Sequence, residues 1–205
     1  MNRLFVAVLI VATLTLNAVS VGGTYNNQLS IGDSAPTWSD LIGTDGQKHA
    51  LADFVDKEVL VICFTCNTCP YAVDYEDRLI ALAKKFAADN NKCGLIAINA
   101  NKVKDDLLPA MQERAKAKGF QFPYLHDETQ QIAKSYGATF TPEFVVLNKD
   151  RKVIYLGAMD DSPDGKKITK RYVEDAVAAA LAGRKPEIAE TPAVGCAVRY
   201  VKERK

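Results

Sequence analysis

The amino-acid sequence predicts an α/β domain with a central mixed β-sheet flanked by helices. Apolar runs of strand length alternate with segments whose apolar residues recur at helical spacing, and this alternation is typical of β-α-β units. Near the end of the domain, two apolar runs flank residues 148–151, a pattern that predicts a closing antiparallel hairpin. The earlier strands are joined through helices, so they should be mostly parallel with right-handed crossovers.

The first half of the domain carries the strongest strand and helix patterns. Residues 44–47 predict a turn between two short extended pieces. Residues 59–64 and residues 94–99 are apolar runs of the kind found in buried central strands. Between them an amphipathic helix is predicted from Tyr71 to Asp89. Its inward face would hold Ala72, Tyr75, Leu79, Leu82 and Phe86.

The middle of the chain carries weaker patterns. Residues 105–118 predict a helix with Pro109 near its first turn and Gly119 as its stop. Residues 122–125 predict a short extended piece, in which Pro123 favours a strand entry or an edge position over a central strand. This third strand is the weakest of the strand patterns.

Asp127 begins the next predicted element. Gln130 follows it by three positions, which resembles a capping box that opens a helix over residues 128–136. The two strands of the hairpin are then predicted at residues 144–147 and 153–156.

The last predicted helix begins at Thr169, which we interpret as its cap, and ends before Gly183. Its inward face would hold Val173, Ala176, Val177, Ala180 and Leu181. A C-terminal tail follows, and it carries one further cysteine, Cys196.

The N-terminus has the pattern of a secretory signal peptide. Arg3 precedes an almost unbroken apolar stretch, and Ala18 and Ser20 place small residues at the positions that a signal peptidase recognises. We therefore expect an exported protein, periplasmic or secreted. The alternative is an uncleaved membrane anchor, and only then would a membrane be a partner. The predicted organisation is a signal peptide over 1–20, a flexible leader over 21–30, a domain over 31–185 and a tail over 186–205.

Charge and cysteine content limit the partners further. Residues 1–20 contain one base and no acid, so a chain cut after Ser20 carries 25 bases and 25 acids. This balance gives no reason to expect nucleic acid or an anionic surface as a partner. Export implies an oxidising compartment. Because the chain has five cysteines, at least one must be unpaired or be paired with another chain.

The strongest functional signal is the segment Cys66-Asn67-Thr68-Cys69-Pro70. It lies at the junction of a predicted strand and a predicted helix. Two thiols separated by two residues can close a disulfide, and the free N–H groups at a helix start stabilise a thiolate. A Cys-x-x-Cys motif at such a junction is the arrangement that thiol–disulfide exchange requires.

Several segments together resemble the thioredoxin fold and, within it, the exported branch of the alkyl hydroperoxide reductase and thiol-specific antioxidant (redoxin) superfamily. The resemblance covers roughly residues 30–200. Its segments are Gly32-Asp33-Ser34-Ala35-Pro36, Asp45-Gly46, Leu51-Ala52-Asp53-Phe54, Phe64 to Tyr71, Thr141-Pro142-Glu143-Phe144 and Gly195-Cys196. The resemblance implies a thiol–disulfide oxidoreductase that needs no cofactor or metal and acts on protein dithiols or disulfides.

The resemblance also implies roles for individual residues. Cys66 would be the attacking thiol, exposed at the helix tip with a lowered pKa, and Cys69 would resolve the mixed disulfide. Thr141 and Pro142 would form the loop that faces the cysteines, with a cis proline that leaves the backbone of Thr141 free to pair with a substrate peptide. This branch often has a histidine at position 68, so Thr68 argues against strongly oxidising behaviour.

For some side chains the sequence leaves two interpretations open. The cysteine pair would otherwise be a static disulfide, and Pro142 an ordinary strand-entry proline. Glu143 is either a proton shuttle or, more simply, a solvated glutamate at a strand end. Cys196 is either a second resolving thiol or an intermolecular crosslink, if it has a role.

The remaining cysteines and the two histidines are better explained without a functional role. Cys63 extends the motif to a pattern that resembles an iron–sulfur run, but a buried inert thiol explains it better, and Cys93 should be buried too. His49 and His126 are interpreted as surface residues.

Two other functions compete with disulfide exchange. A thiol peroxidase needs a threonine or serine three residues before its reactive cysteine, but Cys63 and Cys66 stand in those positions. It also needs an arginine near position 141, where Thr141 stands, so peroxidase activity should be weak. A copper carrier of the same fold needs a histidine near the thiols, for which His126 is the candidate.

Overall fold

The computed structural model describes residues 22–90 and 92–201. The predicted signal peptide, residues 1–20, lies outside these ranges and stays a prediction. Within them, no helix is both long enough and apolar enough to cross a membrane.

The strands of the described residues form one large and one small sheet. They are β1 (Leu41–Gly43), β2 (Lys48–His49), β3 (Val59–Phe64), β4 (Cys93–Asn99), β5 (Tyr124–His126), β6 (Phe140–Thr141), β7 (Glu143–Leu147), β8 (Val153–Gly157) and β9 (Cys196–Ala197). The large sheet has the order β2-β1-β5-β4-β3-β7-β8, and β6 pairs with β9. Strands β3, β4 and β5 are parallel, whereas β7 is antiparallel to β3 and β8. The predicted mixed sheet and closing hairpin are confirmed.

Helices cover both faces of the large sheet. They are α1 (Pro70–Ala88), α2 (Leu108–Lys118), α3 (Gln131–Ser135) and α4 (Tyr172–Leu181). Side chains of α1, α2 and α4 share one apolar core, and α3 packs with the N-terminal segment in the other. The predicted inward face of α1 is confirmed, because all five of its residues are buried.

Strand β3 lies in the interior of the sheet, and all of its side chains are buried. Its odd-numbered residues join the core under α1 and α4, and its even-numbered residues join the opposite core. Burial of a large apolar side chain contributes about 1.5–3 kcal/mol. A strand packed in this way on both faces holds the segment that follows Phe64, where the cysteine motif begins, in a fixed position.

Helix α2 begins three residues later than the sequence predicts. A 3-10 turn, Lys104–Asp106, precedes it, and Leu107 is extended with a ψ of 161°. The reason is the Asp106 side chain, which is fully buried and accepts hydrogen bonds inside the domain instead of standing in the first turn of the helix. The helix ends at Gly119, which has a φ of +67°, as predicted.

The predicted capping box at Asp127 is wrong. Gln130 has a φ of +65°, and its side-chain amide donates to the carbonyl of Ala100 at 2.6 Å. The carboxylate of Asp127 instead accepts the N–H of Ala133 at 2.8 Å. The helix over 128–136 is therefore shortened to α3.

Two other predictions need adjustment. Helix α4 is capped at Arg171, because the hydroxyl of Thr169 donates to Asp161 instead of capping the helix. Leu181, predicted to face inward, is exposed. Pro123 precedes β5, as expected for a strand entry, although β5 lies between β1 and β4 and not at an edge.

The N-terminal segment is more closely packed than a flexible leader would be. Asn26 and Leu29 are buried, and the side chain of Asn26 donates to the carbonyl of Tyr136 at 2.8 Å. Leu29 packs in the core beside α3. Residues 22–30 are thus part of the domain in this structure.

Candidate functional site

The cysteine motif lies between β3 and α1, as the sequence predicts, but its two thiols are placed differently. Cys69 is the N-cap of α1, and Cys66 lies three residues earlier in the connecting loop. Cys66 is 3% exposed and Cys69 is 2% exposed, and both thiols are free. The expectation that Cys66 would be exposed at the helix tip is therefore wrong. Neighbouring segments cover it, and the cap position belongs to Cys69.

Thr141 contacts both thiols. Its hydroxyl oxygen lies 3.4 Å from the sulfur of Cys66, and its carbonyl oxygen accepts a hydrogen bond from the thiol of Cys69 at 3.0 Å. The peptide bond between Thr141 and Pro142 is cis, as the resemblance implies. The loop that was expected to face the cysteines therefore does so.

The third thiol of the site belongs to the C-terminal tail. Strand β9 pairs with β6 in an antiparallel register that sets Cys196 opposite Thr141. Cys196 packs against the small buried cluster of Cys66, Cys69 and Ala72. The sequence identified Cys196 as an accessory candidate, and the structure brings it to the thiol pair.

Asp106 is the residue of this site that the sequence analysis missed. One oxygen of its carboxylate accepts the backbone N–H groups of Asn67 and Thr68, at 2.6 and 3.1 Å. The other accepts the hydroxyl of Thr68 at 2.7 Å and the side-chain amide of Asn101 at 3.2 Å. A buried carboxylate therefore occupies the N–H groups in the middle of the cysteine motif.

The side chain of Asn67 also forms hydrogen bonds within this network. Its amide donates to the carbonyl of Asp105 at 2.8 Å, and its carbonyl oxygen accepts the hydroxyl of Tyr124 at 2.9 Å. Asn99, at the end of β4, donates to that same hydroxyl at 3.1 Å. Polar residues at the ends of two neighbouring buried strands were the available sequence signal for this network, because such strand ends meet at one edge of a parallel sheet.

The surroundings move the pKa values of Cys66 and Cys69 in opposite directions. Burial raises the pKa of Cys66, and the nearby carboxylate of Asp106 raises it further against opposing hydrogen bonds. Burial also acts to raise the pKa of Cys69, but hydrogen bonds from the Cys196 thiol and from the N–H groups of Ala72 and Cys196 lower it overall. The predicted lowering of the Cys66 pKa is therefore wrong.

Cys196 is the thiol that stays protonated. Its hydrogen bond to Cys69, with burial as the next cause, raises its pKa to about 11. A protonated Cys196 beside a Cys69 of lowered pKa forms a donor–acceptor pair of sulfur atoms. The tail thiol is thus one of the causes that lower the pKa of Cys69.

Glu143 is not the solvated glutamate that the sequence favours. It is 6% exposed, and one carboxylate oxygen accepts the backbone N–H groups of Thr139 and Phe140 at 2.8 and 3.0 Å. Burial raises the pKa of this carboxyl group. Glu143 therefore braces the loop that carries Thr141, and a role in proton transfer stays a hypothesis.

The other cysteines are buried, as predicted. Burial raises the pKa of Cys63 well above its ordinary value and that of Cys93 to about 11, so both thiols stay protonated.

The two histidines are half-buried, whereas surface positions were predicted. His49 lies 3.0 Å from the carboxylate of Asp45, and burial lowers the pKa of His126. Among the described residues, no three His, Cys, Asp or Glu side chains form a group that could hold a metal ion.

Exposed apolar side chains adjoin the residues that surround the thiols. Tyr71 follows the N-terminal residue of α1, Leu107 follows Asp106, and Phe140 precedes Thr141. Val194, in the tail, is exposed as well. We call these four exposed residues, Tyr71, Leu107, Phe140 and Val194, the apolar rim. Exposed apolar side chains suit contact with a protein surface better than with a small charged molecule.

Comparison with known proteins relates this arrangement to one family. The family model described as Redoxin matches residues 30–176. The thiol-disulfide oxidoreductase ResA of Bacillus thuringiensis subsp. konkukian (strain 97-27) is 27% identical over 133 residues, which are 64% of this chain and 71% of that protein.

Solved structures show the same fold. A hypothetical protein of Sinorhizobium meliloti 1021 superposes with a TM-score of 0.80 at 31% identity, over 88% of this chain and 100% of its own. The peroxidoxin BcpB of Mycobacterium tuberculosis superposes with a TM-score of 0.58 at 20% identity, over 76% of this chain and 98% of its own. The second likeness shows the fold alone. The fold is thioredoxin-like, as the resemblance implied.

Proposed function

Because the chain belongs to the redoxin family of oxidoreductases, we propose that it is a thiol–disulfide oxidoreductase whose redox couple is Cys66 and Cys69. The observation that carries this proposal is the pair of sulfur contacts to Thr141, at 3.4 and 3.0 Å, which sets both thiols against one residue beside Pro142. Its substrates are protein disulfides or dithiols.

The roles of the two thiols in the reaction are those that the resemblance implies for the first and second cysteine of the motif, and Cys66 must become accessible before it can react. The thiolate of Cys66 attacks a substrate disulfide, forms a mixed disulfide and releases one substrate thiolate. Cys69, whose pKa is lowered, then attacks the sulfur of Cys66 and releases the second substrate thiolate. The substrate disulfide is reduced to two thiols, and the Cys66–Cys69 disulfide takes its place. The reverse sequence oxidises a substrate dithiol.

The environment of Cys66 favours the reductive direction. A couple is strongly oxidising when its reduced form is stabilised, chiefly as a thiolate. Here burial and the carboxylate of Asp106 both disfavour the thiolate of Cys66, the attacking thiol of this proposal, and Thr68 provides no cation. The lowered pKa of the resolving thiol, Cys69, acts in the opposite direction. We expect a reduction potential nearer to thioredoxin's roughly −270 mV than to about −120 mV. Equilibration of the couple against glutathione buffers measures it.

Substrate recognition relies on the loop of Thr141 and on the apolar rim. An extended peptide can add to the backbone edge of Thr141 as a short antiparallel strand, as β9 does in this structure. The exposed rings of Tyr71 and Phe140 provide apolar contacts next to that edge. These features support a protein or peptide substrate.

Trapping of mixed disulfides tests the roles of the two thiols. The Cys69→Ser variant lacks the resolving thiol, so it should accumulate partners that are linked to it by a disulfide and are released on reduction. The Cys66→Ser variant should not accumulate them, and Cys93→Ser, which removes a buried thiol away from the site, serves as the matched control. Equal trapping by Cys66→Ser and Cys69→Ser, or trapping by neither, contradicts these roles.

We also propose that the protein is exported, with cleavage after Ser20. The support is the order of Arg3, an apolar stretch and small residues before the cut. N-terminal sequencing of the mature protein should begin near Val21. An intact Met1 in the membrane fraction would show an anchor instead.

A further inference from the structure

The tail strand occupies the edge to which a substrate strand would bind. Strand β9 pairs Ala197 with Phe140 and Cys196 with Thr141, in an antiparallel register. Thr141 also donates from its hydroxyl to the carbonyl of Cys196 at 3.5 Å. The tail therefore presents its own cysteine at the backbone edge to which the proposed function assigns a bound peptide.

Hydrogen bonds on both sides of β9 hold the tail in this position. Before it, the N–H of Thr191 donates to the carbonyl of Leu156 at 3.0 Å. After it, the N–H of Val198 donates to the carbonyl of Thr139 at 2.9 Å, and Val198 is buried. The hydroxyl of Tyr200 donates to the carbonyl of Ala138 at 2.6 Å. The position of Cys196 is thus built into the domain.

Gly195 allows the backbone of the tail to approach Thr141 closely. A Cβ atom at this position would lie 2.1 Å from the carbonyl oxygen of Thr141 and 2.7 Å from its carbonyl carbon. Both are backbone atoms, which cannot move aside as a flexible side chain can. Only glycine therefore permits the contact, and the Gly195-Cys196 pair acts as one unit that brings a thiol to the site.

The sulfur atoms are arranged for exchange within the chain. Cys196 packs against the cluster that contains Cys66 and Cys69. The pairing of β9 with β6 sets it opposite Thr141, whose carbonyl oxygen accepts the thiol of Cys69 at 3.0 Å. Cys196 is also the most accessible of the three thiols, whereas Cys66 and Cys69 are buried. Cys69 therefore lies between two possible disulfide partners, Cys66 and Cys196.

We propose that Cys196 is a third redox-active thiol of this protein and exchanges with the Cys66–Cys69 disulfide to form a Cys69–Cys196 disulfide. This inference rests on the proposed function, which supplies the Cys66–Cys69 disulfide. In the reduced protein Cys196 stays protonated because of its neighbour Cys69, but a Cys69 that is part of a disulfide carries no charge and no longer holds the Cys196 proton in place. The Cys196 thiol then ionises, and its thiolate attacks the sulfur of Cys69. The bond between Cys66 and Cys69 breaks, and its electron pair leaves on the sulfur of Cys66, which takes up the proton that Cys196 lost. One disulfide replaces another, so the step needs no external oxidant or reductant.

The exchange has a chemical consequence for the cycle. It returns Cys66 to the thiol form, and the protein stays oxidised by two electrons because the Cys69–Cys196 disulfide replaces the Cys66–Cys69 disulfide. The protein oxidised by one substrate therefore still holds a reduced Cys66, and its disulfide includes the more accessible thiol of the tail, where a reducing partner can attack it.

Disulfide mapping of the oxidised protein tests this inference. The reduced full-length protein is treated with one equivalent of oxidised glutathione, quenched in acid, alkylated and mapped by mass spectrometry. We expect both the Cys66–Cys69 and the Cys69–Cys196 disulfides in the wild-type protein. The Cys66→Ser variant should form Cys69–Cys196 alone, and the Cys93→Ser variant should give the wild-type pattern.

The Gly195→Ala variant provides the matched geometric control, because it keeps all three thiols and obstructs the approach of the tail. It should form Cys66–Cys69 normally and lower the yield of Cys69–Cys196 roughly tenfold, which corresponds to about 1.4 kcal/mol. A far-ultraviolet spectrum and a thermal melt verify that the variant is folded. A wild-type yield of Cys69–Cys196 in folded Gly195→Ala overturns the assignment.

The remaining outcomes separate this inference from the proposed function. If Cys66–Cys69 forms and Cys69→Ser traps partners, but Cys69–Cys196 is absent, the third-thiol inference fails and the proposed function stands. Disulfide-linked dimers through Cys196, in place of Cys69–Cys196, have the same meaning. If Cys66 and Cys69 neither pair nor trap partners, the proposed function fails and the inference falls with it.

Discussion

Two segments pack against the thiol pair, and they are held in different ways. The segment that contains Asp106 is fixed by a buried polar network, in which one carboxylate accepts hydrogen bonds from Asn67, Thr68 and Asn101. The tail segment is held by the two-residue strand β9 and by individual hydrogen bonds on both sides of it, and Cys196 within it is partly accessible. The Asp106 segment can therefore fix the environment and the pKa of the thiols as long as the domain is folded. The tail, in contrast, can open locally while the rest of the domain stays folded.

Removal of the Asp106 charge should have the largest effect. Asp106→Asn removes a fully buried charged acceptor from donors that are themselves at least half-buried, so we expect a loss of about 3 kcal/mol in the free energy of unfolding. The pKa of Cys66 should fall, because the nearby negative charge is gone. Urea denaturation and the ultraviolet absorbance of the thiolate measure the two effects.

The neighbouring acid provides the control for this prediction. Asp105 is exposed, and it contacts the motif through its backbone carbonyl and not through its carboxylate. Asp105→Asn should therefore change the stability by less than about 0.5 kcal/mol. If both variants lose the same free energy of unfolding, the buried carboxylate of Asp106 does not fix this segment.

Displacement of the tail should have the next largest effect. In Gly195→Ala the tail cannot approach Thr141 closely, so Cys66 and Cys69 become accessible. Their rates of alkylation by iodoacetamide should rise roughly tenfold, while global stability changes little. Val194→Ala, a change of an exposed neighbour in the same tail, should leave the rates unaltered. Unchanged rates in folded Gly195→Ala would mean that the tail does not control access.

Glu143 should produce a smaller effect that depends on pH. Its folded-state pKa is raised by burial, so the folded protein binds this proton more tightly than the unfolded chain does. The resulting contribution to stability is present at low pH and is lost as the pH rises through the folded-state pKa. Glu143→Gln cannot ionise, so it should gain stability relative to the wild type as the pH rises from 4.5, the ordinary value of this group, towards neutrality. Thermal melts across that range measure the difference, and parallel curves would contradict it.

We expect the smallest departure from ordinary behaviour in the reaction of the thiols with hydrogen peroxide. The anionic Asp106 adjoins the motif on one side, and Thr141 offers a hydroxyl on the other, where a thiol peroxidase would need a cation. Hydrogen peroxide should therefore oxidise the reduced protein within about tenfold of the rate of an ordinary free thiol. Competition with a free thiol measures this rate. A reaction faster by orders of magnitude would make the peroxidase the leading function.

The sequence predicts the parts of this site that rest on local patterns. The continuous apolar run of β3, the helix pattern after it and the two cysteines between them lie within thirty residues of one another, so their relation can be inferred without the fold. The cis proline followed from the resemblance, because no local spacing shows it. The hairpin was predicted from its two apolar runs.

The parts that the sequence could not provide depend on long-range contacts. Asp106 binds a loop 38 and 39 residues earlier, and in the sequence it lies at the start of the helix predicted over residues 105–118. Strand β9 has two residues, too few for any periodicity, so nothing in the tail showed that Cys196 would pair with Thr141. The pKa of Cys66 was mispredicted for the same reason, because its burial depends on segments that are distant in the chain.

The pairing of β9 with Thr141 also sets a minimum affinity that a partner needs in order to bind at this edge. Any strand that adds to this edge must first displace a segment of the same chain, and a short tether keeps that segment at an effective concentration on the order of millimolar. A peptide with only weak backbone pairing cannot compete at cellular concentrations. If the proposed function holds, partners would be selected before any sulfur reacts, in favour of those whose own contacts outweigh those of the tail.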